Sequence, residues 1–409
     1  MKTHSIPIPV DQKLFGAEMH ENPYPVYQRL RESDPVHRDE QLQAWVLTRY
    51  ADVSGVLNDK CFSSNRVTLA RHRFPQPELE PLFDTLGQLM LQRDEPDHTR
   101  LRSLVNKAFV RTSVESWAPT IQQRVDELID DLLRKEQVDF IWDFAVPLPL
   151  MVIAEIVGIP AEDRQQVKAW CDDFALVATN FYANIRIEQL QRGLQSTLAF
   201  REYLRAKVDE LKQSPKLDLL TSLVQVHEEG SKLGLDELLA NALLLLNAGN
   251  ETTTNLLGNG LAALLKNPQQ LQLLRENPDL CASAVEEFLR FDSPVQFLGR
   301  VALEDVTLES KTIRKGDLVL VILAAANRDP EHFVDPDCLD ITRENNHHLA
   351  FGHGHHFCVG AQLARLEARM AFSGILARLS DIELSTENLV HRENFSLRCF
   401  QHLPLRIKR

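Results

Sequence analysis

The residues best equipped for chemistry lie late in the chain, where Cys358 follows Phe351-Gly-His-Gly-His-His-Phe and precedes Val359-Gly360-Ala361. Glycines at 352, 354 and 360 let a loop double back and bring backbone close to a flat ligand that side chains would obstruct. The run from Gln362 to Phe372 is helix-patterned, so Cys358 is expected just ahead of a helix N-terminus. Unpaired amides and the helix dipole favour a thiolate there. A thiolate in such a place binds iron well, and the stretch reads as a haem ligand. A buried structural cysteine behaves as a small hydrophobe and requires neither the three glycines nor the aromatic ring ahead of them. Zinc is the rival in the same stretch, since His347, His348, His353, His355 and His356 crowd the cysteine. Structural zinc, however, takes four ligands in paired Cys or His spacings, and this stretch supplies a single Cys.

A second constellation is the polar run Asn247-Ala248-Gly-Asn-Glu251-Thr252-Thr-Thr-Asn255, set between two leucine-rich halves of one helical pattern. Buried hydroxyls and carboxylates are costly unless hydrogen-bonded, and Thr and Asn compete with the helical backbone for partners. The run therefore predicts a local opening of the helix, against the plainer reading of a solvated face. A third is Glu287-Phe-Leu-Arg290, a carboxylate and a guanidinium spaced to pair on one helix face. Alone that spacing is weak, because exposed pairs contribute little.

Together these motifs resemble the cytochrome P450 monooxygenases. Phe351, Gly354, Cys358 and Gly360 match the Phe-x-x-Gly-x-x-x-Cys-x-Gly haem signature, and Ala248-Gly-Asn-Glu251-Thr252 matches the oxygen-activation motif Ala-Gly-x-acid-Thr. The resemblance implies a mainly α fold with a minor β-sheet, spanning 1–409 as a single haem domain. It implies haem b, with Cys358 as the iron ligand and Phe351, Gly352, Gly360 and Ala248 beside the cofactor. His98, Arg102, Arg300 and His356 occupy positions that meet the haem propionates. Thr252 is expected to hydrogen-bond dioxygen and Glu251 to feed protons inward. Glu287 and Arg290 match a buried structural pair whose third partner is usually an arginine at the position held here by Cys338, leaving Arg343 or His348 as substitutes. Asn250 and His355 stand at positions where relatives vary.

The reaction so implied is insertion of one oxygen atom from O2 into an apolar small molecule, hydroxylation above all. Polyketide or macrolide tailoring in secondary metabolism is the nearest likeness, with fatty acids, terpenoids and steroids open. Pocket walls are expected from Leu86, Leu89 and Met90; from Phe174, Val177 and Phe181; from Leu243 and Asn247; and from Val295, Phe297, Leu298 and Phe400. Each is as readily a core residue. No flavin or ferredoxin module is legible, so electrons are expected from a separate ferredoxin or flavodoxin with its reductase, steered by Arg100, Lys107, Arg111, Arg365 and Arg369. A peroxide-driven peroxygenase and a non-catalytic haem sensor are the alternatives.

The elements that must hold these groups are mostly helices, predicted near 24–33, 50–58, 98–108, 115–135, 147–157, 161–178, 189–212, 217–227, 235–266, 269–276, 279–291 and 360–379. Leu235, Leu238, Leu239, Ala242, Leu243 and Leu246 mark the longest, which Asn267-Pro268 should end. Strands are expected at Ala44–Thr48, Val306–Leu308, Thr312–Ile313 and Leu318–Ile322. The net charge of −13 argues against nucleic-acid and anionic-lipid partners. The six cysteines lack paired spacing, no run of residues is apolar enough to span a bilayer, and a cytoplasmic protein is expected.

Overall fold

The periodic apolar segments become helices almost where their patterns place them. In the computed structural model, which describes residues 17–106, 109–180, 185–216, 218–228, 233–379 and 381–408, the long helix runs Leu235–Lys266. Asp236 and Glu237 sit in its first turn and Lys266 in its last, both signs matching the helix dipole. Asn267 ends it by turning its side-chain amide back to the Ala263 carbonyl at 2.8 Å, and Pro268 starts the next helix. Ala118–Arg134 buries Ile121, Val125, Leu128, Ile129 and Leu132, spaced three and four apart on one stripe. Shorter helices at Val67–Arg73, Glu80–Gln88 and Arg111–Ser116 escape the sequence pattern, since one or two turns contain too few apolar repeats to register.

The described residues fall into two compact units. One comprises residues up to Ser63, Gly258–Cys358 and Glu383–Pro404. Its five-stranded sheet has the spatial order Val36–Asp39, Ala44–Leu47, Leu318–Val321, Leu298–Ala302, Phe62–Ser63. Ala44–Leu47 pairs parallel with Leu318–Val321, and Leu298–Ala302 pairs antiparallel with the same strand. Leu318–Val321 is buried throughout, as befits the sheet centre. Val36, Leu47, Phe62, Val319, Val321 and Leu349 form part of the apolar cluster around it.

The second unit comprises Ser64–Leu257, Val359–Ile382 and the residues from Leu405. It is chiefly helical, and Arg164–Asn180 packs along Ile187–Gln213. Gly193 makes that crossing close: a Cβ there would stand 2.2 Å from Cγ2 of Val177. Among the described residues no helix is long and apolar enough to cross a membrane.

Candidate active site

The cysteine loop is built by backbone bonds within the sheet-bearing unit. The Cys358 amide donates to the Phe351 carbonyl at 2.9 Å, the Phe357 amide to Gly354 at 3.0 Å, and the Gly352 amide to Leu349 at 2.8 Å. Gly352 and Gly354 have φ of 73° and 69°, the left-handed region that glycine enters without strain. Gly354 is also pressed against its surroundings, since a Cβ would meet the Leu57 carbonyl oxygen at 2.9 Å. Gly360 differs from expectation: its φ is −84°, and a Cβ would meet nothing within 4 Å. Its requirement is open space rather than conformational freedom. The helix that follows starts at Ala361, two residues beyond Val359, so the thiol lies just ahead of its N-terminus as predicted.

Cys358 is exposed, with the Phe357 ring 39% exposed beside it. Cys171, Cys281 and Cys399 are buried, and burial pushes the Cys171 thiol up. Cys61 donates to Glu304 at 3.1 Å, and that carboxylate, with Asp59, pushes its thiol up to about 12. Among the described residues no group of three or more His, Cys, Asp or Glu is arranged to hold a metal ion. An exposed thiol ahead of a helix, with clear space at Gly360, fits a flat macrocycle whose iron takes one protein ligand. Nearby, Arg300 is 3% exposed on strand Leu298–Ala302 and donates to the Gly299 carbonyl. Leu298 lies against the loop, 3.7 Å from where a Cβ on Gly352 would sit. His356 is half-buried within the loop, Phe297 is buried, and Val295 is half-buried.

In the helical unit the polar run does not open the helix, contrary to expectation: Leu235–Lys266 is continuous. Three of its polar side chains find partners without breaking the ladder, whereas Asn250 Oδ1 and both side-chain polar atoms of the buried Asn255 have none among the described residues. Thr252 donates its hydroxyl back to the Ala248 carbonyl at 2.9 Å, and Thr254 to the Ala145 carbonyl at 3.0 Å. Asn247 donates to the Cys171 carbonyl at 3.0 Å, tying down the helix that carries Phe174 and Val177. Asn241, unremarked in the sequence, accepts from the Met90 amide at 2.9 Å and donates to the Gln88 carbonyl, fixing the Leu86–Met90 segment. A buried amide in a leucine-rich turn was the available signal. Gly249 lets Pro147–Val157 approach, because a Cβ would lie 2.9 Å from Cγ1 of Ile153. Glu251 and Thr252 remain half-buried.

Leu86, Leu89, Phe174, Val177 and Leu243 are fully buried. Val177 faces Gly193, so helix packing accounts for it and removes it from the expected wall. Phe400 lies tilted against His391 at 4.2 Å between centroids and carries Lys266 over its ring, so it packs within the sheet-bearing unit. Phe181 and Lys107 lie outside the described residues. His98 is buried and Arg102 half-buried on Asp97–Asn106, where Arg102 donates to Asn106. Arg100 is engaged by Glu237 and Asp97, hydrogen bonds that raise its pKa, and so drops out of the expected steering patch. Arg111 pairs with Glu115.

Glu287 and Arg290 form a fully buried pair with two bonds of 2.8 Å. Arg343 supplies the third partner at 3.1 Å, while His348 turns to Glu286. Arg343 and Arg290 both donate to the Cys338 carbonyl, so position 338 contributes backbone where an arginine side chain was expected. Asn346 and the Asp340 amide complete the shell around Glu287.

The family model described as Cytochrome P450 matches residues 5–397. The polyketide biosynthesis cytochrome P450 PksS of Bacillus subtilis is 38% identical, the alignment covering 96% of this chain and 98% of that protein. The monooxygenase PikC of Streptomyces venezuelae is 39% identical, covering 100% and 96%. Among solved structures, P450BioI in complex with an acyl carrier protein ligated to hexadec-9Z-enoic acid superimposes with a TM-score of 0.89 at 38% identity, covering 96% of this chain and all of that one.

Proposed function

The chain belongs to the cytochrome P450 family, and from that premise we propose that it hydroxylates an apolar small molecule of polyketide type, with Cys358 as the residue whose thiolate would hold the iron of haem b. It is a haem-dependent monooxygenase, an oxidoreductase that uses O2 and a small-molecule substrate. The observation that carries the site assignment is the exposed Cys358 thiol on a loop closed by the Cys358 to Phe351 backbone bond. The family match runs without a break over both units, which supports one catalytic domain.

When bound, the haem supplies thiolate-promoted cleavage of the O–O bond. Its residues divide the remaining work. Phe351, Gly352, Arg300 and His356 in the sheet-bearing unit, and Ala248, Gly360, His98 and Arg102 in the helical unit, are the residues that would hold the macrocycle and its carboxylates. The Thr252 hydroxyl, held by the Ala248 carbonyl, keeps its oxygen as an acceptor and can exchange that bond for one to dioxygen. Glu251, half-buried on the preceding position, carries protons from solvent. Leu86, Leu89, Met90, Phe174, Leu243 and Asn247 in the helical unit, and Val295, Phe297 and Leu298 in the sheet-bearing unit, are the residues that would contact substrate, apolar but for one amide, a composition suited to an apolar substrate. Likeness to PksS, a polyketide biosynthesis cytochrome P450, supports a polyketide substrate. The complex of P450BioI adds a carrier-protein-tethered acyl chain as a form in which substrate arrives. Electrons come from a ferredoxin or flavodoxin, with Arg365 and Arg369 as the remaining described cations for an acidic donor, in the cytoplasm.

The carbon-monoxide difference spectrum of the dithionite-reduced protein tests the assignment. A strongly red-shifted Soret band, lost in Cys358→Ser, is expected; a band typical of histidine ligation in the native protein refutes it. Spin-state titration with macrolactones and free fatty acids then separates the substrate classes.

A further inference from the structure

The sheet-bearing unit contains a cavity of about 380 Å³ lined by Tyr24, Phe291 and Phe400, by the methyls of Ala262 and Ala263, and by Asn259, Lys266, His391 and the Asp292–Arg398 pair. Its polar groups divide sharply into engaged and unengaged. Arg398 is held by Asp292 at 2.8 Å and by the His20 and Glu21 carbonyls. Arg328 is held by the Phe291 carbonyl and Asp337. His391, by contrast, is 9% exposed, and neither ring nitrogen has a hydrogen-bond partner among the described residues. Asn259, 2% exposed, donates its amide to the Arg398 and Asp292 carbonyls, which fixes its orientation and leaves Oδ1 without a donor. Lys266, at the solvent edge, lies 5.6 Å over the Phe400 ring and has no carboxylate partner among the described residues. Glu21, the other charge at the rim, is solvent-exposed.

We propose that this cavity binds a small hydroxycarboxylate with an aromatic or apolar body: the carboxylate between Lys266 and His391, the hydroxyl donating to Asn259 Oδ1, and the body among the rings of Tyr24, Phe291 and Phe400. Buried polar atoms in native proteins almost always have partners, so three unserved atoms on two residues that line this cavity point to the chemistry of what fills it. An ammonium and an imidazole N–H complement an anion. Fixed acceptors complement a hydroxyl, and aromatic walls a planar body. The site lies outside the oxygen-activation machinery and does not depend on the reading of it.

Binding is coupled to protons. Burial, then the Arg398 charge, with Lys266 and His20 acting in the same direction and Asp292 against them, lowers His391 to about 3, so the empty site holds a neutral imidazole. An arriving carboxylate adds a countercharge, raises the imidazole pKa and tightens binding as pH falls.

The test is titration calorimetry of the holoenzyme with 4-hydroxybenzoate and, as its neutral counterpart, 4-hydroxybenzamide, in buffers of different ionisation enthalpy at about pH 6 and pH 7.5. Saturable binding of the acid, on the order of 10-fold tighter than the amide, with proton uptake and tightening at the lower pH, is expected. Lys266→Gln, a surface change, weakens the acid by roughly 10-fold, in line with loss of one charge-assisted contact. His391→Phe abolishes proton uptake. Equal affinity for acid and amide, an unchanged titration in Lys266→Gln, or no saturable binding, which would assign the unserved atoms to ordered water, overturns the proposal.

Discussion

Two polar clusters in this molecule meet the cost of burial in opposite ways. Around Glu287, both carboxylate oxygens accept: Arg290 and the Asp340 amide on Oε1, Arg290, Arg343 and Asn346 on Oε2. The pair is fully buried and saturated. Along the long helix, Thr252 satisfies itself with a single local bond and stays half-buried beside Glu251. A saturated network has no capacity left for a substrate or a proton, whereas a hydroxyl engaged only with its own backbone can exchange partners at little cost. Saturation marks scaffold, and spare capacity marks chemistry.

Substitutions differ in their expected effect on stability according to how much of each cluster's bonding they remove. Glu287→Ala strands two guanidinium groups in the core and is expected to cost about 3–5 kcal/mol, enough to prevent recovery of folded protein. Denaturant unfolding within about 1 kcal/mol of the parent would end the scaffold reading. Arg343→Ala removes one charged donor of Glu287 and should cost roughly 1–3 kcal/mol by the same measurement. Cys338→Ser leaves the carbonyl that Arg290 and Arg343 use and is expected to stay within about 0.5 kcal/mol.

The pH dependence sharpens the comparison from a third direction. His391 stays neutral in the folded chain down to about 3, whereas an unfolded imidazole takes its proton near 6.5. The unfolded chain therefore binds the proton first, and stability falls as pH drops below about 6.5, by up to about 1.4 kcal/mol per pH unit. Urea midpoints from pH 7 to 5 should show that slope, and His391→Phe should flatten it. Thr252→Ala has only a small expected effect on folding, under about 1 kcal/mol, because its lost bond is local. Its consequence is functional: oxygen consumed per product formed rises and hydrogen peroxide accumulates, on the order of 10-fold or more for a proton-transfer group. Full coupling in that variant would remove Thr252 from the reaction.

Much of this was legible in the residues. Cys358, the glycines at 352 and 354 and the long helix came directly from pattern, because left-handed turns and 3.6-residue periodicity leave strong local traces. Continuity of the helix through Asn247–Asn255 was not legible, since the partners that quiet its polar groups, the Cys171 and Ala145 carbonyls, are remote in sequence. The same distance hid the choice between Arg343 and His348. Strands such as Phe62–Ser63 and Leu298–Ala302 were missed because short strands are stabilised by their neighbours in the sheet rather than by their own composition.

Cys338 carries a practical consequence. Its backbone serves Arg290 and Arg343 while its thiol faces solvent, so a fluorophore or spin label attached there would ride directly on the Glu287 network. If Cys358, the other exposed thiol, holds iron as proposed, such a reporter would allow the melting of that network to be followed optically and compared with the loss of the haem spectrum in a single sample.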